Sequence, residues 1–68
     1  MTLIDAGKAV RELQKTNGIS NAELARKAAT SPQQVIRWRT QVNMKLHTMQ
    51  LICEAMGAEV QEFLHLGK

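Results

Sequence analysis

Apolar positions in this 68-residue chain recur at helical spacing in five blocks. No stretch shows the period of two that a half-buried strand needs. The first block, Leu3, Ile4, Ala6, Val10 and Leu13, predicts a helix with one buried stripe and Lys8, Arg11, Glu12 and Lys15 on its other faces. Thr2 with Asp5 three residues on predicts a capping-box-like start. Asn17-Gly18 predicts the end, since both tolerate the left-handed conformation found there. Ser20 with Glu23 forms a second capping box, and Ile19 with Leu24 can staple across it. Leu24, Ala25 and Ala28 then carry the buried side of a helix of about two turns. Ser31 caps a third helix with Pro32 at its first position, where the missing N–H does no harm. Proline also disfavours a helical Ser31, so the second and third helices are separate. The third continues through Val35, Ile36 and Trp38 to about Arg39, and Thr40 to Lys45 reads as a loop. A fourth runs from about Leu46 to Met56 with Met49, Ile52, Cys53 and Met56 as its stripe, stopped by Gly57. A short fifth carries Val60, Phe63 and Leu64. The expected architecture is all-α: one compact five-helix domain over residues 1–68.

Composition narrows the function classes. Apolar residues make up 44% of the chain, yet Trp38 and Phe63 are its only aromatics. The core is therefore Leu, Ile, Val, Met and Ala, which suits helices. A domain this small is near the limit of folding alone, so self-association is a source of extra stability. Cys53 has no partner for a disulfide, and His47 and His65 are too isolated for a metal site. The hydroxyls sit at caps, and no Ser/His/Asp set, carboxylate pair or phosphate-binding Gly loop is present. The expectation is no enzyme, no cofactor, no metal and no small-molecule ligand. No apolar run approaches the roughly 20 residues of a membrane span, and no signal-peptide pattern opens the chain. A cytoplasmic protein with no membrane partner is expected.

Charge changes the picture more. The net charge is +3, but the stretch from Lys8 to Lys45 holds eight cations and two carboxylates, while the remainder carries −3. A basic body with a mildly acidic end fits either a face for a polyanion or a solvated lysine-rich surface.

The central segment, Ile19 to Trp38, decides between them. It holds two capped helices about three residues apart. Small Ala25 faces the second of these helices, so the backbones can approach closely. Val35 and Trp38 point inward, leaving Pro32, Gln33, Gln34, Ile36 and Arg37 outside. Gln and Arg read adenine and guanine edges in the major groove by paired hydrogen bonds. Ile36 either touches thymine methyls or tucks against Leu46. Arg26, Lys27, Arg39 and Lys45 are candidate phosphate contacts, with Arg26 and Lys27 read more simply as solvated charges. Lys45, in the loop, is the best placed, whereas Arg26 and Lys27 fall on the far side of the second helix.

These residues resemble the Cro and repressor family of lambda-like phages and bacteria. The likeness runs from about Ile4 to Leu64. It is carried by Gly7-Lys8 to Leu13, Ser20-Asn21-Ala22-Glu23-Leu24-Ala25, Thr30-Ser31 to Trp38, and Leu51 to Leu64 with Gly57. The resemblance implies base contacts from Pro32, Gln33, Gln34 and Arg37. It implies a phosphate held by Asn21, and backbone contacts from Thr40, Gln41, Asn43 and Lys45. The chain also departs from the family. Ala29 stands where a Gly is usual in the turn, which is strained if φ is positive there. Arg39 follows the Trp where the family often has Glu.

The apolar Val60, Phe63, Leu64 and Leu66, with Met44 and Met56, exceed what one small core obviously needs. They are either a loosely packed end or a homodimer surface, and the resemblance implies the second. The function expected is a sequence-specific DNA-binding repressor of the Cro type, from a phage or prophage, acting on double-stranded DNA as a dimer. An antitoxin that also binds a toxin, and a protein-interaction module without DNA binding, are the competing readings.

Overall fold

The computed structural model describes residues 4–68. Five helices follow one another: α1 (Ala6–Asn17), α2 (Asn21–Lys27), α3 (Pro32–Thr40), α4 (Leu46–Met56) and α5 (Val60–Leu66). There is no strand among the described residues, so the all-α expectation is met.

The helix ends follow from local chemistry. Ser20 caps α2 by accepting from the Glu23 N–H at 3.1 Å, and Ser31 caps α3 by accepting from the Gln34 N–H at 3.3 Å. Pro32 opens α3 at its first turn. Gly18 and Gly57 close α1 and α4 in the left-handed conformation, with φ of 65° and 67°. The start of α1 corrects the sequence expectation. Asp5 is itself the N-cap, with extended backbone and its carboxylate accepting from the Lys8 N–H at 3.1 Å. An Asp there is worth about 1 kcal/mol, so the helix begins at Ala6 and Ile4 stands ahead of it. The Thr2 cap and Leu3 fall outside the described residues. Thr40, read as loop, is the last residue of α3.

One core joins the helices. α1 packs against α3, α4 and α5, and α2 against α3 and α4. Ala6, Ala9, Val10 and Leu13 of α1 meet Leu24, Ala25 and Ala28 of α2 and its C-cap, Val35 and Trp38 of α3, Ile52, Cys53 and Met56 of α4, and Phe63 of α5. Phe63 is 0% exposed. Its expected place in a dimer surface is thereby corrected: a lone Phe in so small a chain buries more apolar area than its neighbours, and the core takes it. Val60 and Leu66 pack half-buried at the edge of that core, and Leu64 is 36% exposed. Met56 is likewise core, while Met44 packs against it from the loop.

The turn between α2 and α3 sets their relative placement. The Thr30 N–H donates to the Ala25 carbonyl at 2.8 Å, and the Ala29 N–H to Arg26 at 3.3 Å. This pair of bonds is a Schellman closure, which needs a left-handed residue between its arms. Ala29 takes that conformation with φ 56°, the one positive φ outside glycine among the described residues.

Candidate nucleic-acid interface

The face expected to read bases lies on α3. Val35 and Trp38 anchor the helix inward. Pro32, Gln33, Ile36 and Arg37 are exposed, and Gln34 is half-buried beside them. Gln33 and Arg37 are four residues apart and so project from one face in adjacent turns. Ile36 remains 52% exposed and Leu46 58%. Both side chains are thus largely at the surface.

A polar lattice holds this face in register with α1 and α2. Gln14 of α1 is buried, and its Nε2 donates to Asn21 Oδ1 at 2.9 Å and to the Ile19 carbonyl at 3.3 Å. Arg39 Nη1 donates to Gln14 Oε1 and, at 3.4 Å, to Asn21 Oδ1. Three helices thus meet at one amide cluster. Asn21, expected on a phosphate, has its oxygen committed inside the fold. What it offers a phosphate is its NH₂ group, which is the correct end, since phosphate oxygens only accept.

The segment after α3 is also fixed in place. The Gly7 N–H donates to the Gln41 carbonyl at 2.6 Å, and the Ala6 N–H to Val42 at 3.0 Å. The first turn of α1 thereby satisfies donors that a helix start would otherwise leave unpaired. Arg11 Nη1 adds a bond to the Arg39 carbonyl. Gly7 permits the approach: a Cβ there would stand 2.5 Å from the Arg39 carbonyl oxygen and 2.9 Å from that of Gln41.

The loop residues expected on the DNA backbone are all at the surface. Gln41, Asn43 and Lys45 are exposed, with Lys45 at the N-cap of α4. Thr40 is exposed too, but its hydroxyl donates to the Arg37 carbonyl at 2.9 Å. It must release that bond before it can donate to a phosphate. Arg26 and Lys27 are exposed at the end of α2.

The sequence reading gave no framework role to Gly7, Arg11 or Gln14. Two carried a signal. A Gly inside a helical pattern costs about 1 kcal/mol, so its presence implies a close neighbour. Gln14 stands four residues after Val10, a polar residue on an otherwise apolar stripe. Arg11 had none, since its partner is a backbone carbonyl distant in sequence.

No helix of the described residues is long and apolar enough to cross a membrane. No protein of curated function matches the chain. Among solved structures, the fold is similar to that of the clp gene regulator ClgR from C. glutamicum. The two superpose with a TM-score of 0.85 at 23% identity, over 93% of this chain and 83% of that one. Residues 9–67 match the family model of the Cro/C1-type HTH DNA-binding domain, a span that includes α2, α3, the turn at Ala29 and the loop after it. The chain belongs to the Cro/C1-type HTH DNA-binding domain family.

Proposed function

We propose that this protein is a sequence-specific transcriptional repressor of the Cro type that reads an operator through the outer face of α3. The observation that carries the reading is the placement of Gln33 and Arg37. Both are exposed on one face of a helix whose opposite face is locked into the core by Val35 and Trp38. Bidentate hydrogen bonds from such side chains discriminate between bases by about 1–3 kcal/mol each. Pro32 lacks a donor, so it contributes shape at the start of the helix. Gln34, half-buried, is a second reader at the edge of the face, and exposed Ile36 suits thymine methyls. Asn21, Thr40, Gln41, Asn43 and Lys45 flank α3 on both sides and are the proposed phosphate contacts, which fix orientation rather than sequence.

Two copies acting together would cover a pseudo-palindromic site with half-sites roughly 34 Å apart and exclude polymerase. The surface proposed for pairing is the outer side of α5 around Leu64, with Val60 and Leu66 at its edge. Phe63 supports it from beneath.

The test is selection of bound sequences from random duplexes, followed by affinity measurements on the selected operator and on a scrambled version. Arg37→Ala is expected to cost about 1–3 kcal/mol on the operator and to relax preference at one or two positions. Lys45→Ala is expected to weaken both DNAs alike and to lower the salt slope by roughly one unit. Equal loss on both DNAs from Arg37→Ala would mean that α3 does not read bases through this face.

A further inference from the structure

An open groove of about 560 Å³ lies between α1, the segment 18–20 and the end of α3. Arg11, Lys15 and Arg39 line it with a single carboxylate, Glu12, so the groove carries a net charge of +2. Its two guanidinium groups are already oriented. Arg39 is held through Nη1 by the amide oxygens of Gln14 and Asn21, and Arg11 through Nη1 by the Arg39 carbonyl. No buried side-chain nitrogen or oxygen among the described residues lacks a partner. With Arg11 exposed and Arg39 half-buried, the remaining N–H groups of both are open to a partner from solution. A guanidinium gripped at one nitrogen and open at the others is pre-organised for a tetrahedral anion, because little rotamer freedom is left to lose on binding.

We propose that this groove binds a phosphodiester of the DNA backbone, gripped by Arg39 and Arg11 with Lys15 beside them. The proposal rests on the DNA-binding reading above and extends the contact surface onto α1. Asn21 supplies the link. Its Oδ1 lies 3.4 Å from Arg39 Nη1, so a phosphate meeting the Asn21 NH₂ group is within reach of the Arg39 guanidinium. The anion is a strand phosphate rather than a free one because the groove is open rather than enclosed, and because Arg39, at the end of the proposed reading helix, is part of its lining.

Binding of the full chain to a duplex of arbitrary sequence, measured across a series of salt concentrations, tests this. Each phosphate contact contributes about 0.9 to the slope of log K against log salt. Arg39→Gln and Lys15→Gln are each expected to lower that slope by about one unit, a loss of about tenfold at 0.1 M salt. Glu12→Gln, which removes the groove's carboxylate, is expected to tighten binding. Lys27→Gln, a cation outside the groove, is expected to leave the slope nearly unchanged. Should Arg39→Gln fail to fold, as read by its thermal melt, the surface variants at Lys15 and Glu12 carry the test alone. The proposal is overturned if the unaltered protein binds with a normal salt slope and the groove variants match it. It is equally overturned if Lys27→Gln shifts the slope as far as they do. Saturable binding of inorganic phosphate, seen as shifts in the arginine Nε–H resonances while the variants bind DNA normally, would make the groove a free-anion site and overturn it too. Failure of the unaltered protein to bind DNA at all would instead strike the parent reading.

Discussion

The backbone N–H of Gly7 donates to the carbonyl of Gln41 at 2.6 Å, joining the first turn of α1 to the segment that follows α3. Glycine is what makes this joint possible. In an ordinary helix interior, Gly→Ala gains about 1 kcal/mol. Here the added methyl would meet two backbone carbonyls, neither of which can rotate aside. Gly7→Ala is expected to destabilise by about 1–3 kcal/mol, as overpacking does. It should also weaken DNA binding beyond the stability loss, by displacing residues 41–45. Denaturant melts with binding measured well below the midpoint check both, and a stabilised variant would refute the joint.

Ala29 offers the opposite sign. A left-handed conformation costs an L-residue roughly 1–2 kcal/mol, partly offset by the extra chain entropy a glycine loses on folding. Ala29→Gly is expected to stabilise by up to about 1 kcal/mol, or about 4–8 °C in Tm for a domain of this size. A thermal melt decides it. A lower Tm would show that the side chain at this position contributes more than its strain costs.

Phe63 and Leu64 are adjacent on α5 and predict different failures. Phe63→Asp buries a carboxylate in the core, and unfolding is expected, read by circular dichroism. Leu64→Asp alters a 36% exposed position. It is expected to leave the helical signal intact while shifting sedimentation from dimer to monomer and weakening operator binding. If the unaltered protein sediments as a monomer both free and on DNA, pairing through α5 is wrong.

Cys53 gives a pH prediction. Burial, with a smaller contribution from the Glu62 charge, pushes its thiol above the ordinary value. The folded state therefore keeps the proton when the unfolded state has lost it. Stability from this group is complete below the ordinary thiol value of about 8.5 and declines as pH rises beyond it. Thiol-reactive dye at neutral pH is expected to label Cys53 only at the rate of unfolding. Fast labelling of the native protein would contradict its burial.

The helices and the inward Val35 and Trp38 were legible in the sequence because each rests on local chemistry: a cap three residues from its partner, a proline, a stripe of fixed period. The strain at Ala29 was legible only through the resemblance, which puts a glycine in that turn. The start of α1 was misplaced because Thr2 and Asp5 both have N-cap chemistry, and spacing alone does not rank them. The excess of apolar residues near the C-terminus, together with the family resemblance, points Phe63 to a pairing surface, because composition does not say which of those residues the core takes. The Gln14–Asn21–Arg39 cluster joins residues 18 and 25 positions apart. Such a contact exists only once three helices have packed, and no window along the chain contains it. The same holds for the groove, whose cations come from α1 and the end of α3.

The outer face of α3 is structurally idle. The core is held by Val35 and Trp38, the lattice by Arg39, and the helix start by Ser31. Among the described residues, the side chains of Gln33 and Arg37 take no part in the hydrogen bonds that hold the helices together. They can therefore be exchanged with little effect on folding, as surface substitutions generally can. On the reading proposed above, target preference is free to drift under selection while the architecture stands still. On that same reading, these few positions are where a laboratory library would re-address the protein to a new site.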